Sequence, residues 1–168
     1  MRRFLFLLGQ RAYDNSALLS SQLLNEEAFY DVFLHDIRRA RRSVIIESPF
    51  ITTKRLLLLH YPLKRARKRG VHIVINTRDP DTHRGSMRQQ ARDGVAWLQH
   101  LGVTVIYTGN LHRKLAIIDH RILYEGSLNI LSQSDSCEMM RRTDSAELVR
   151  QMIRFTNLRK WYKIANHE

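Results

Sequence analysis

The chain is poor in the residues that would mark several common classes. It has one cysteine (Cys137) in 168 residues, which excludes an internal disulfide framework and any thiolate-rich zinc or iron–sulfur site. Seven glycines and three prolines are too few for collagen-like, low-complexity or disordered chains, and 43% hydrophobic residues suit a globular fold. No apolar run approaches the roughly 20 residues of a membrane span. The opening Met1-Arg2-Arg3 and Phe4 to Leu8 resemble a secretory signal, but the apolar stretch falls short of the roughly 7–15 residues such a signal needs. This points to the cytoplasm, or to the periplasm if the N-terminus is a signal remnant. Acidic residues are also scarce: 16 against 28 basic ones, a formal charge of +12.

The positive charge is mostly arginine, 22 Arg to six Lys. Arginine is a permanently charged planar fork that grips phosphate in two places, so a polyanionic partner is implied. Charge alone does not separate nucleic acid from an anionic lipid surface. The basic residues form clusters: Arg38, Arg39, Arg41 and Arg42; Lys64 to Arg69; Arg84, Arg88 and Arg92 at four-residue spacing; and Arg141-Arg142. Each alone reads as a solvated face. No zinc finger, helix-turn-helix or RNA-binding aromatic signature is visible, so base-specific recognition is not expected.

The pattern alternates. The spacing predicts a helix from Glu26 to Arg42, a buried strand at Val44 to Glu47, and a helix from Leu56 to Arg69 capped by Thr52 or Thr53 and closed by Gly70. A second strand follows at Val71 to Asn76, a polar loop to Arg84, a helix from Ser86 to Leu101, and a third strand at Val103 to Thr108. Short strands at Lys114 to Asp119 and Arg121 to Glu125 flank a turn at Asp119-His120, and Thr143 to Tyr162 reads as the last helix. The expected fold is one α/β sandwich over residues 1–168, with a mostly parallel mixed sheet and residues 1–24 as a peripheral extension.

The segment Leu111 to Met140 carries the chemistry. His112, Lys114, Asp119, Gly126, Ser127 and Asn129 are spaced H-x-K-x4-D-x6-G-S-x-N. Residues two apart on an extended segment share a face, and the turn at Asp119-His120 returns Gly126 to Asn129 beside His112. One wall then holds an imidazole that can attack phosphorus, with an ammonium, a hydroxyl and an amide for phosphate oxygens. A lone His-x-Lys is usually a surface pair; the linked Gly-Ser-x-Asn removes that reading. Asp119 reads equally as a turn residue. The other histidines share no metal-ligand spacing, and no metal or cofactor is expected.

This spacing resembles the signature of the phospholipase D superfamily, and the likeness extends from about Asn25 through the rest of the chain, to a single-motif member similar to the small bacterial nucleases of that superfamily. The resemblance implies a phospholipase D-like sandwich and a metal-independent phosphodiesterase working through a covalent phosphohistidine. It implies His112 as nucleophile, Lys114 and Asn129 as phosphate ligands, Ser127 in support, and Asp119 as an orienting or structural group. It also implies a downstream carboxylate that takes the nucleophile's Nδ1 proton: Glu138, with Asp135 as competitor. The chemistry needs two imidazoles, yet one chain supplies one motif, so the site is expected to be shared across a homodimer. Arg141, Arg142, Arg84 and Arg88 are the candidate nucleic-acid contacts, with DNA ahead of RNA. The competing readings are a phospholipase D or phosphatidyltransferase acting on anionic phospholipid, and a targeting domain of a larger helicase or restriction system. No integral membrane association is expected.

Overall fold

The structure is a computed structural model and describes residues 21–132 and 137–158. The apolar segment Phe4 to Leu8 lies outside the described residues, as do Asp135 and the end of the last helix. The elements run β1 (Gln22–Asn25), α1 (Glu26–Arg39), β2 (Ser43–Glu47), α2 (Thr53–Lys68), β3 (His72–Thr77), a 3₁₀ turn (Pro80–Thr82), α3 (Ser86–His100), β4 (Thr104–Tyr107), β5 (Leu115–Ile118), β6 (Ile122–Gly126), β7 (Met139–Asp144) and α4 (Ala146–Thr156).

One seven-stranded sheet has the order β1-β7-β6-β5-β2-β3-β4. The α/β sandwich with a mixed sheet is as expected, but the share of parallel pairing is not. Only β2–β3 and β3–β4 are parallel, while β1–β7, β7–β6, β6–β5 and β5–β2 are antiparallel. Parallel pairs need a helical crossover, which only α2 and α3 provide, whereas a tight turn suffices between β5 and β6.

Two further expectations are corrected. Residues 22–24, grouped with the N-terminal extension, form an edge strand paired with β7. The last helix starts at Ala146 rather than Thr143, because Met140 and Thr143 point into the protein as strand residues and the Ser145 hydroxyl caps the helix by accepting from the Leu148 amide.

Alternation sorts the strands onto two cores. Val44, Ile46, Ile73, Ile75, Ala116, Ile118 and Tyr124 face α1, α2 and α3, while Ile45, Val74, Leu115, Ile117 and Leu123 meet Val149 and Ile153 of α4. Burial on both faces explains why these strands read as unbroken β-branched runs. Pro62 lies inside α2 without ending it. Among the described residues no helix is long and apolar enough to cross a membrane.

Candidate functional site

The β5–β6 hairpin joins the two halves of the motif. Leu115 pairs with Glu125, and the Gly126 amide donates to the Lys114 carbonyl at 3.3 Å. Lys114 therefore faces Gly126 across the ladder, with His112 two residues further out. The turn that sets this register uses Asp119 (φ 51°) and His120 (φ 61°), both left-handed, a pair whose twist matches that of the strands.

Gly126 is required by space. A Cβ there would stand 2.2 Å from the Met139 carbonyl oxygen and 2.9 Å from the Met140 Cα. This close approach brings β7 against the motif. The Ser127 amide donates to the Met139 carbonyl (3.0 Å), and the Ser127 Oγ accepts from the Met139 amide (3.2 Å). Glu138, half-buried, immediately precedes Met139 at the start of β7. His112 is exposed and Lys114 half-buried.

The loop bearing Asn129 is fastened from below. Leu128, Ile130 and Leu131 are fully buried, while Ser127 is exposed and Asn129 is half-buried with its Oδ1 enclosed. The Tyr30 hydroxyl donates to the Ile130 carbonyl (2.9 Å), the Thr52 amide to the Leu131 carbonyl (2.9 Å), and the Leu131 amide to the Ser48 Oγ (3.1 Å). Burial pushes the Tyr30 phenol well above its ordinary pKa, so it stays a donor.

Sequence reasoning missed the clamp behind His112 and Lys114. Arg113, between them, turns to the other side and makes two bonds to Glu47, Nε to Oε2 at 2.6 Å and a guanidinium amine to Oε1 at 2.9 Å. Glu47 ends β2 with its side chain fully buried, and its Oε1 also accepts from the Asn76 amide at 2.6 Å. Asn76 in turn accepts from the Thr108 hydroxyl at 2.9 Å. The bond to Glu47, more than its charge, raises the Arg113 pKa against the opposing effect of burial. The only signal was an acidic residue inside an otherwise apolar strand, Ser43-Val44-Ile45-Ile46-Glu47.

Asp119 lies at the far end of β5 from His112. Its carboxylate accepts from three backbone amides: Arg41 (2.9 Å to Oδ2), Arg42 (2.8 Å to Oδ1) and Ser43 (3.1 Å to Oδ1). The carboxylate so ties the β5–β6 turn to the loop that precedes β2.

The arginines divide as well. Arg142 is not on the site's surface: its Nε donates to Asp36 Oδ2 at 2.8 Å, where the Tyr124 hydroxyl also donates at 2.5 Å, and its guanidinium lies 6.0 Å from the Tyr124 ring centroid. A buried aspartate needs these donors, and so Arg142 is drawn inward. Arg141 is half-buried and reaches the Ser21 hydroxyl at 2.5 Å. The expected Arg84, Arg88 and Arg92 stripe does not form, because Gly85 (φ 57°) is the cap and leaves Arg84 off α3. Arg88 donates to the His83 carbonyl at 3.0 Å, and Arg92 pairs with Asp81 at 2.6 Å. Among the described residues no group of three His, Cys, Asp or Glu side chains is placed to hold a metal ion.

Comparison with known proteins adds the family. No match was found among curated proteins. Solved structures similar in fold include a phospholipase D family member, Nuc, from Salmonella typhimurium, at 19% identity and TM-score 0.66, covering 81% of this chain and 90% of that one. NucT from Helicobacter pylori is similar at 20% identity and TM-score 0.64, over 80% and 91% of the two chains. Phosphatidylserine synthase from Haemophilus influenzae shares the fold at 12% identity and TM-score 0.63, over 82% of this chain and 38% of that one. The family model described as "Cardiolipin synthase, PLD-like domain" matches residues 33–159, about three quarters of the sequence and all of the motif. With that match and this fold, the chain belongs to the phospholipase D superfamily.

Proposed function

We propose that this protein is a metal-independent nuclease that cleaves nucleic-acid phosphodiester bonds through a phosphohistidine. The observation that supports the reading is the β5–β6 hairpin, which sets the chain at Lys114 beside the chain at Gly126, with Ser127 bonded to β7. His112 Nε2 attacks phosphorus, forming the P–N bond as the P–O bond to the leaving group breaks; Glu138 holds the Nδ1 proton. Lys114 and Asn129 bind the non-bridging oxygens, with Ser127 supporting them, and stabilise the added charge. A second imidazole protonates the leaving oxygen, then takes a proton from the water that breaks the P–N bond. One chain has a single motif histidine, so the second comes from His112 of a symmetric partner, with the phosphate near the two-fold axis. The arginine excess favours a polynucleotide substrate, DNA ahead of RNA.

Phosphatidyl transfer is the second reading, favoured by the family description and by the shared fold of the phosphatidylserine synthase. One experiment separates them: labelled single- and double-stranded DNA and RNA, and phosphatidylglycerol vesicles, each incubated in excess EDTA with the parent protein and with His112→Ala. Fragments from nucleic acid with the parent alone are the expected result. Headgroup release without nucleic-acid cleavage selects the second reading. Equal cleavage by His112→Ala, or cleavage abolished by EDTA and restored by Mg²⁺, overturns the phosphohistidine chemistry. Sedimentation of the active species tests the dimer, and full activity in a strict monomer removes the shared site.

A further inference from the structure

The motif and its clamp sit at one end of the sheet, and a cluster of exposed positive charge sits at the other. Glu47 and Leu115 are paired at the site end of β2 and β5, while the Asp119 amide donates to the Ser43 carbonyl at the opposite end. Seven residues separate His112 from Asp119, so the two poles are up to about 23 Å apart at roughly 3.3 Å per extended residue.

At the far pole α1 and α2 both end. Arg38 and Arg39 close α1, Arg41 and Arg42 form the following loop, and Lys68 and Arg69 close α2; all six are exposed. Arg69 ties the two helix ends together by donating to the Ile37 and Ala40 carbonyls, each at 3.2 Å. Within the described residues, none of the other five has a salt-bridge partner. The acidic side chains at this pole are already engaged. Asp119 is filled by three backbone amides, and Asp144 pairs with Arg121 at 2.5 Å.

Solubility alone does not call for this arrangement. Arg38 and Arg39 oppose the negative end of the α1 dipole, but Arg41 and Arg42 lie beyond the helix. Asp119 grips the backbone of these two and leaves their side chains outside. A rigid loop presenting adjacent guanidinium forks is organised in advance for phosphate oxygens. The pole also lacks the apolar residues that a membrane-binding surface inserts. The exposed large hydrophobics of the described residues are Leu23, Leu57, Leu58, Tyr61, Met87, Tyr107, Met139 and Phe155, and none falls within 38–42, 68–72 or 119–121.

We propose that this pole is a second nucleic-acid surface, which holds the phosphate backbone of a long polymer away from the catalytic wall. The inference rests on the nuclease reading for its biological sense, but not for its measurement. A polymer engaging both poles must span about 23 Å, or some seven base-pair steps at ~3.4 Å. Short substrates therefore reach only the site.

The test is binding of a fluorescein-labelled duplex of about 30 base pairs to His112→Ala protein across a series of NaCl concentrations, read by anisotropy. The comparison protein adds Arg38→Gln, Arg39→Gln, Arg41→Gln and Arg42→Gln. Each phosphate contact contributes ~0.9 to the slope of log affinity against log salt, so the glutamine variant should show a slope shallower by about 3 and at least tenfold weaker binding in low salt. The four lysine substitutions should keep the slope. In the otherwise native protein, the glutamine variant should hydrolyse bis-p-nitrophenyl phosphate within about twofold of the parent. An unchanged slope overturns the proposal, as does a lysine variant that loses as much as the glutamine one. Loss of phosphatidylserine vesicle binding with duplex binding intact overturns it too, and assigns the pole to lipid. If the parent cleaves no diester while the slopes differ as stated, the nuclease reading fails and the second surface stands.

Discussion

Asp119 lies at the end of β5 away from His112, and its replacement can be worked through. Three amides converge on its carboxylate at 2.8–3.1 Å. The Arg41 and Arg42 amides lie in an exposed loop where water can replace the carboxylate, so at about 0.5 kcal/mol each these two bonds contribute about 1 kcal/mol together. Ser43 is fully buried, and orphaning its amide costs about 1–3 kcal/mol. Asp119 also sits at φ 51°, a conformation that costs an alanine about 1 kcal/mol more. Asp119→Ala should therefore destabilise by about 3–5 kcal/mol. With a urea slope of about 2 kcal/mol per molar, the unfolding midpoint should fall by roughly 1.5–2.5 M. Asp119→Asn keeps one acceptor and tolerates the left-handed backbone, so about 1–2 kcal/mol should be lost. The assay is urea unfolding followed by fluorescence, beside kcat on a small diester without denaturant. Both variants should keep kcat within about twofold while folded. A hundredfold fall in kcat for Asp119→Asn with an unchanged midpoint would refute the anchor and place this carboxylate in the chemistry.

Three other outcomes follow from the packing and the protonation equilibria. Gly126→Ala drives a methyl group into the Met139 carbonyl oxygen and should cost more than about 3 kcal/mol, seen as a lower melting temperature; an unchanged one would mean that β7 can retreat. Glu47→Gln keeps the shape of the buried acceptor but loses its charge, so kcat on a small diester should fall about tenfold or more as Arg113 loosens between His112 and Lys114, and stability should fall at the lower end of the ~3–5 kcal/mol of a broken buried pair because Arg113 is 40% exposed. His120 is pushed below its ordinary 6.5, first by burial and then by the Arg42 charge, against the opposing pull of Asp119. The unfolded chain then binds the extra proton first, so the contribution of His120 is complete above pH 6.5 and is lost as the pH falls towards its folded pKa; urea midpoints at pH 7.5 and 5.5 should converge in His120→Asn, and an undiminished acid loss would assign the effect elsewhere.

The legible parts of the fold were those whose signal is local. Val44 to Ile46, Ile73 to Ile75 and Leu115 to Ile118 are buried on both faces, so each strand announces itself within a few residues. The motif is legible for a similar reason, since a single tight turn joins its halves. What could not be read was decided by partners far along the chain. β7 (Met-Met-Arg-Arg-Thr-Asp) looks like the polar start of a helix until Asp36 and Tyr124 take Arg142 inward, partners 106 and 18 residues away in sequence. The same pair removes Arg142 from the candidate contacts. Arg113 resembled a spacer because its partner Glu47 lies 66 residues earlier. β1 is four residues of which only Leu24 is buried, too short to carry a period.

The mixed sheet has a consequence for how the protein is put together. On one side of β2 lies the parallel, helix-linked part (β2, β3, β4), and on the other the antiparallel meander (β5, β6, β7), joined in the sheet only by the ladder from Val44–Ile118 to Glu47–Leu115. The segment that carries His112 and Lys114 leads into the meander, and the Glu47 carboxylate that holds Arg113 belongs to the helix-linked part. That seam closes a loop of about 70 residues, a slow and entropically costly step compared with forming either hairpin or crossover alone. His112 and Lys114 therefore gain their support only when the two parts zip together, and a half-built chain carries the motif without its backing.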